Sequence, residues 1–533
     1  GSFTMTHQEQ LQTGIQLHRE GKLEEAAAIY QQILAEDEFN PHAMHWLGLL
    51  AMQVGQLEPA VGLLGKAVQI EPNEPFYWHN FGAVLEQGNN LEEATKAYAQ
   101  ALLLDTNQAG TLAALGHALI KSERHAEALE PLSRALLLKP DDPDLHHHLA
   151  TAWSQTGEWE KALEASAEGL RIRSDSPYSL CQHAEIELHL RKNKEAAETF
   201  ATALSYRDDY PRALTGRAIA LTRLGQGVES IALFRRAIEL EPDSFHIHRS
   251  LAACLHALAR HEEAIVEYNR ALEIRHEETP RLELAVAYEQ MDRHDMALKI
   301  WEEIAVDFPD SPIVAYQIAA LRGEDPPPLS PAAYTAQLFD SYAETFDDHL
   351  LNRLEYRAPG VLAKAVAPHL GTQRPDMLDL GCGTGLCGEE FRGKVGYLAG
   401  VDLSPGMIEK ARERKIYDEL LVEDIITMMD QSERRFDLIM AGDVLEYLGE
   451  LSGVYQAAHR ILKPGGIFSF SVEEMEGEGT YRLEKTRRYT HSAQYLRDLA
   501  KTHQFEEKSL NQEVIRRQME IDVTGLIVVL QKV

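Results

Sequence analysis

The stretch Met377-Leu378-Asp379-Leu380-Gly381-Cys382-Gly383-Thr384-Gly385 decides how the C-terminal part of this chain is read. An apolar run ends in an acid and passes into three glycines at alternate positions. The pattern predicts a buried strand that opens into a loop, where bare backbone turns tightly and approaches a bulky ligand. Seventeen residues after Gly385, a second apolar run, Leu398-Ala399-Gly400-Val401, ends in Asp402-Leu403-Ser404. A carboxylate at that second strand tip can accept from both hydroxyls of a ribose, so the two strand ends describe a site for an adenosine-containing cofactor. The spacing is not the nicotinamide pattern Gly-x-Gly-x-x-Gly, whose third glycine falls one residue later.

Working outward, strand and helix signals alternate as a doubly wound sheet requires. Ser404 and Pro405 predict the cap and first position of a helix to Lys415. A third strand, Glu419 to Val422, runs into Glu423-Asp424-Ile425. A fourth, Phe436 to Met440, leads into Ala441-Gly442-Asp443-Val444-Leu445-Glu446-Tyr447-Leu448. The turn Leu462-Lys463-Pro464-Gly465-Gly466 precedes a fifth, Ile467 to Val472, and Gln512 to Arg516 with Leu526 to Val533 predict a closing hairpin. An aromatic-bearing helix, Tyr334 to Asp347, stands ahead of the sheet, followed by His349 and by Leu354-Glu355-Tyr356.

With these motifs in this order, Asp-Leu-Gly-Cys-Gly-Thr-Gly resembles motif I of the class I S-adenosylmethionine-dependent methyltransferases. Asp443-Val444-Leu445-Glu446-Tyr447 is similar to the Asp-Val-Leu-Glu-His run of the ubiquinone-biosynthesis type, with Tyr447 in place of the histidine. The resemblance implies an α/β Rossmann-like domain over residues 332–533 with S-adenosylmethionine as cofactor. It places Asp379, Gly381, Cys382, Gly383, Gly385, Asp402, Leu403, Asp424, Ile425 and Asp443 around that cofactor, Asp424 accepting from the adenine amino group and Ile425 offering a backbone donor. In relatives the preceding helix closes over the sulfonium, which a ring attracts through its face. Tyr342 and Tyr356 either take that role or pack on the core, while Phe339 and Phe346 read as packing. The chain lacks the Asn/Asp-Pro-Pro-Tyr/Phe motif of exocyclic-amine and glutamine methylation, and the Pro-Cys nucleophile of cytosine C5 methylation.

Methyl transfer needs in-line approach, exclusion of water and, for a protonated acceptor, a base beside the methyl group. Candidate bases come from loops at the carboxyl ends of strands: His349, Glu446, Tyr447, Glu473, Glu474, Arg488, Tyr489 and His491. His349, His491 and Tyr447 are the catalytic choices. Arg488, Tyr489 and Glu446 are the substrate-binding choices, because Lys485-Thr486-Arg487-Arg488 is a basic run in an acidic protein whose arginines can hold a carboxylate. The same run can also be read as the start of a surface helix.

The first three fifths of the chain repeat every 34 residues. Ala26, Ala60, Ala94, Ala128, Ala162 and Ala196 recur at that interval, then Ser230 and Ala264, and Ala297 arrives after 33, implying one deleted residue near Thr279. Four residues after most of these stands a large side chain (Tyr30, Leu64, Tyr98, Leu132, Phe200, Phe234, Tyr268, Trp301), and small residues recur in the first helix from Gly48 to Ala252. Pro72, Pro140, Pro242 and Pro309 close repeats. This resembles the tetratricopeptide repeat. The resemblance implies an all-α solenoid over residues 7–322, about nine repeats plus a capping helix from Pro312 to Leu321, stable only as a stack. Residues 1–6 are set aside as a tail, Gly1 to Thr4 reading as a cloning remnant, and the Pro-rich linker 323–331 separates the solenoid from residues 332–533. His45, His79 and His147 share one position of the first helix, either as a ligand-contacting column or as ordinary polarity. Arg212, Arg217, Arg223 and Arg249 either receive an acidic peptide or make local pairs.

The net charge of −32 divides unevenly: 24 Lys+Arg against 33 Asp+Glu from Ser330 onward, and 28 against 51 before it. Such a surface repels phosphate backbones, which argues against nucleic-acid substrates. Four scattered cysteines make neither a disulfide framework nor a metal site, and no membrane span or signal peptide is read, so cytoplasmic residence is expected. Two functions follow. In one, the solenoid recruits a peptide or protein for methylation in the C-terminal domain. In the other, the C-terminal domain methylates a small molecule and the repeats are only an interaction scaffold.

Overall fold

The computed structural model describes residues 5–342, 356–518 and 521–533, without the side chains of Glu278, Ser341 and Tyr342. The chain divides into two compact units, Gly1–His276 and Glu277–Val533. Helix pairs recur from His7–Arg19 with Leu23–Glu36 to Glu278–Gln290 with His294–Asp307, nine pairs in all, and Pro312–Arg322 follows. Eight pairs lie in the first unit. The ninth and the capping helix belong to the second, together with the sheet.

Local chemistry explains the repetition. Prolines 41, 75, 143, 177 and 211 open first helices at a position whose missing N–H has no intrahelical partner to lose. Within every pair the turn passes through left-handed backbone, at Gly21, Gly55, Asn89, Glu123, Gly157, Arg191, Gly225, Ala259 and Asp292. These positions recur every 34 residues until a last step of 33, the deletion expected near Thr279. In the first four pairs a glycine of the first helix faces the large residue of its own second helix. A Cβ on Gly48 would lie 2.7 Å from Leu64 Cγ, one on Gly82 2.8 Å from Tyr98 Cδ1, and one on Gly116 2.4 Å from Leu132 Cγ. Size complementarity therefore sets how closely the helices cross.

The histidine column does not form a titrating face. His45 is fully buried, stacked on Tyr77 with ring centroids 4.0 Å apart, and its Nε2 accepts from the Asn80 amide. Burial pushes its pKa down to about 3 and lowers those of His79 and His147. Arg212 binds Glu185 through two 2.7 Å bonds, Arg217 pairs with Glu229, and Arg223 donates to the Leu188 carbonyl. These arginines are spent within the array.

The second unit contains a nine-stranded sheet. Its strands are β1 Met377–Leu380, β2 Leu398–Asp402, β3 Glu419–Val422, β4 Phe436–Ala441, β5 Leu462–Glu474, β6 Tyr481–Leu483, β7 Tyr489–His491, β8 Phe505–Gln518 and β9 Ile521–Lys532. The order is 3-2-1-4-5, all parallel, so the order reverses between β1 and β4, where such sheets bind ligands. β9 adds antiparallel to β5 and pairs with β8, the expected closing hairpin over a longer span. β7 pairs with the last residues of β5 at Glu473 and Glu474, and β6 covers β7. The segment Lys485 to Ser492 is thus a hairpin turn and strand, not a helix start; the next helix, Ala493–Thr502, begins after Ser492 caps it. β1 and β2 are buried throughout because both faces are covered. Leu362 and Phe391 pack on one side, Tyr455 and Leu496 on the other. Among the described residues no helix is long and apolar enough to cross a membrane.

Gly116→Ala is expected to destabilise the chain by roughly 1–3 kcal/mol through overpacking against Leu132. Gly62→Ala, in a helix with nothing within 4 Å of the added carbon, is expected to stabilise it by roughly 0.5–1 kcal/mol. Denaturant or thermal melts of the two variants check both signs.

Candidate active site

β1 delivers Asp379 and the glycine loop to the reversal point of the sheet. Gly381, Gly383 and Gly385 have φ of 59°, 54° and 96°, the left-handed region that favours glycine. At Gly381 a Cβ would sit 2.2 Å from Val444 Cγ2, so only a bare backbone fits beneath the loop after β4. Asp402, at the tip of β2, accepts from the Gly383 N–H at 3.0 Å and from the Ser404 N–H at 2.9 Å. Burial raises its pKa, and those two backbone donors oppose the rise. Asp379 is also buried. Its pKa is pushed up to about 7 by burial, opposed by the Tyr417 hydroxyl, which donates to it at 2.6 Å. The helix Ala332–Tyr342 is tied to this region through Asp340, which accepts from the Gly406 N–H and the Ser404 hydroxyl.

Beyond the glycine loop stands a buried ionic cluster. Arg516 of β8 is 1% exposed and binds Asp443 at 3.0 Å, Glu446 at 3.5 Å and, in closer contact, Glu473. Arg488 pairs with the same two glutamates at 3.8 and 3.4 Å. A register shift between Val514 and Arg516 lets the consecutive residues Ile515 and Arg516 both be buried, the usual effect of a bulge in re-aiming a side chain. Asp443 has a φ of 52° and shares two hydrogen bonds with Ser471. Burial and the neighbouring Glu446 push its carboxyl up to about 6 against the pull of the arginines. Phe339 meets Tyr447 edge-on at 5.1 Å.

One cavity of about 800 Å³ connects these groups. Its walls include Asp379, Gly381, Cys382, Gly383, Asp402, Tyr356, Asp443, Glu446, Tyr447, Arg488 and Arg516. Glu289, Gln290, Trp301 and Gln317, from the ninth pair and the capping helix, line it as well.

Comparison with known proteins fits this geometry. A model of the methyltransferase domain matches residues 378–470, the span from β1 into β5. Tetratricopeptide repeat models match residues 229–280 and 281–311, and a model of the cilia and flagella-associated protein 70 C-terminal domain matches residues 4–215. The chain joins tetratricopeptide repeats to a class I methyltransferase domain. Among its relatives is the malonyl-acyl-carrier-protein O-methyltransferase of Serratia marcescens, 29% identical over 122 residues, which are 22% of this chain and 48% of that one. Another is the ubiquinone biosynthesis O-methyltransferase of Xylella fastidiosa, 30% identical over 141 residues, 25% of this chain and 54% of that one. The chain thus spans about half the length of these curated relatives, and members of this family use S-adenosylmethionine. The solved repeat protein YrrB aligns with 35% of this chain and 95% of its own at 19% identity and a TM-score of 0.33, a likeness too slight to carry an argument.

The methyltransferase domain brings some candidates together and sets others aside. His491 is not among the cavity's walls. It is fully buried, its Nε2 donates to the Leu448 and Gly449 carbonyls, and burial holds it down to about 4, so it steadies the loop after β4 as a neutral ring and does not serve as a base. Tyr489 is fully buried too. Its hydroxyl donates to the Pro327 carbonyl and its ring packs near Tyr316, which removes it from substrate contact. Asp424 spends one carboxylate oxygen capping the helix Ile425–Gln431, and neither it, Ile425 nor Leu403 is among the walls. His349 and the Tyr342 side chain lie outside the described residues. The cavity and cluster residues missed in the sequence are Arg516, Glu289, Gln317 and Tyr417, while Arg487 was read only as part of the basic run and Trp301 only as a packing residue of the repeat. The isolated arginine pair at the end of a strand was a signal for Arg516.

A ring buried neutral resists protonation, so His491 contributes stability above its unfolded pKa of about 6.5 and loses it as pH falls toward about 4. Melting temperature is expected to fall across that window. His491→Gln, which keeps a side-chain donor for the Leu448 carbonyl, is expected to flatten part of the fall; parallel melts at closely spaced pH values check it.

Proposed function

We propose that this chain transfers a methyl group from S-adenosylmethionine to a peptide or protein acceptor recruited by its tetratricopeptide repeats. One observation carries the reading: the cavity that holds the glycine loop and Asp402 is also walled by side chains of the ninth repeat. A protein-borne acceptor also agrees with the name of the Serratia marcescens relative, which specifies an acyl-carrier protein. The reducing cytoplasm is its proposed location, in keeping with four free, buried cysteines, and the charge of −32 disfavours nucleic-acid acceptors.

The residues fit the cofactor. The loop at Gly381 has no room for a side chain, which keeps the backbone low enough for a nucleoside to lie across it. Each Asp402 oxygen accepts one backbone N–H and retains a lone pair for a ribose hydroxyl. When bound, the sulfonium supplies an activated methyl group and a good leaving group. The chain's own part is to orient the acceptor, exclude water and receive a proton. Tyr447, Tyr356 and Phe339 line the cavity and would offer aromatic surface to a cationic centre held there. Asp443, with its pKa near 6, is largely ionised at neutral pH yet basic enough to take a proton from an acceptor, and Glu446 stands beside it. Arg516 and Arg488 keep both acids in place.

A second reading, methylation of a small molecule with the repeats as scaffold, is favoured by the Asp443-to-Tyr447 run and by the ubiquinone-pathway relative. Mass spectrometry of cell extract incubated with the full chain and isotopically labelled S-adenosylmethionine separates the two. Label in a polypeptide is expected; label only in metabolites would establish the second reading instead. Asp402→Ala is expected to weaken S-adenosylmethionine binding roughly 10- to 100-fold by calorimetry, the loss of a charge-assisted hydrogen-bonding group.

A further inference from the structure

The turn between β6 and β7 is fastened to the ninth repeat by Arg487. The Arg487 guanidinium is buried, donates to Gln317 Oε1 at 2.6 Å, pairs with Glu289 and donates to the Lys485 carbonyl. The Tyr316 hydroxyl donates to the Arg487 carbonyl. A left-handed φ of 66° at Arg487 closes the turn. Within it the Arg487 N–H donates to the Glu484 carbonyl and the Glu484 N–H to the Arg488 carbonyl, both at 2.9 Å. Lys485, Thr486 and Arg488 therefore sit on a turn of fixed shape, and all three line the catalytic cavity.

These three side chains carry donors with little to receive them. Lys485 and Thr486 are exposed. Among the described residues the Lys485 ammonium makes no ion pair, and neither side chain donates a hydrogen bond. The Arg488 side chain keeps 17% of its surface accessible. A guanidinium has about five N–H donors, and this one makes a single hydrogen bond, 3.5 Å long, to Gln518 Oε1. Its ion pairs with Glu446 and Glu473, at 3.8 and 3.4 Å, leave the other donors open. The acids on the cavity wall are engaged elsewhere. Glu289 is matched by Arg487, Asp443 and Glu446 by Arg516, Asp379 takes the Tyr417 hydroxyl, and Asp402 takes two backbone N–H groups. Lys485 is the one cation on that wall, among the described residues, that no carboxylate matches.

Open donors with one positive charge to spare suit a carboxylate, which accepts charge-assisted bonds from an ammonium and a guanidinium together. A phosphate group, at roughly −1.5 to −2, would exceed the charge on offer.

We propose that Lys485, Thr486 and Arg488 form an anchor for a carboxylate on the acceptor, so that the polypeptide to be methylated carries an acidic side chain close to its reacting atom. The anchor rests on the reading of a polypeptide acceptor given above and names its chemical class. Arg487 is the positioning residue, because it fixes the turn that presents the three donors.

Saturation-transfer NMR on the full chain loaded with S-adenosylhomocysteine tests the anchor. The probes are N-acetyl-Gly-Asp-Gly-amide and its neutral isostere N-acetyl-Gly-Asn-Gly-amide. The Asp peptide is expected to bind roughly 10-fold more tightly, the worth of a charge-assisted hydrogen bond. Lys485→Gln and Arg488→Gln are each expected to remove most of that preference and leave the Asn peptide unchanged, and Lys485→Arg to keep it. Calorimetry with S-adenosylhomocysteine reports whether each variant folds; should Arg488→Gln fail there, Lys485→Gln decides alone. Equal binding of the two peptides overturns the anchor, as does a preference that survives Lys485→Gln. Tighter binding of N-acetyl-Gly-phosphoseryl-Gly-amide than of the Asp peptide overturns the choice of carboxylate. If the Lys485-dependent preference holds while labelled methyl groups from extract reach metabolites alone, the anchor stands and the polypeptide reading falls.

Discussion

The catalytic unit depends on a buried cluster of three carboxylates and two guanidiniums. Arg516 reaches from β8 into the loop after β4, where it meets Asp443 and Glu446, and to the end of β5, where it meets Glu473. Arg488 arrives from the start of β7 and shares the two glutamates. Taking these ions out of water is expensive, and only mutual contact in good geometry offsets the expense. Each member therefore requires the others. Four separate segments are locked in register at the place where the sheet order reverses.

The loop after β4 is gripped from its other side by the proline-rich segment. The Pro328 carbonyl accepts from the Gly449 and Glu450 N–H groups, Leu329 bridges Leu448, and Ser330 donates to the Tyr447 carbonyl through both its backbone and its hydroxyl. His491 completes the hold from below. A segment whose composition reads as a spacer is instead a strap across the catalytic loop. Its prolines suit the role, because a strap of fixed φ loses little entropy when it is laid down.

Several elements were legible because they follow short-range rules. The repeats could be read to the residue, deletion included, since small and large side chains must alternate at one offset for helices to cross. Left-handed turns recur with the same period, yet at five of the nine they are occupied by residues other than glycine, so composition alone concealed them. Asp379, the glycines and Asp402 were legible because a strand, a turn and a strand tip lie within one local unit. The cap made by Asp424 was also open to reading, as an acid directly before a helix start, and it engages one of the two carboxylate oxygens. His491 and Tyr489 misled because residue type and loop position suggest chemistry, whereas burial against Leu448 and Pro327 depends on partners more than forty and one hundred and sixty residues away.

By itself the sequence determined the helix pairs, the parallel strands, the glycine cradle and the family of cofactor, because periodicity and backbone stereochemistry act over a few residues. Only the tertiary structure decided that the ninth repeat walls the catalytic cavity, that Arg516 anchors the acids and that His491 is a neutral strut. Those outcomes turn on which charges and rings are brought out of water together, and burial is a property of the folded neighbourhood, not of any one segment.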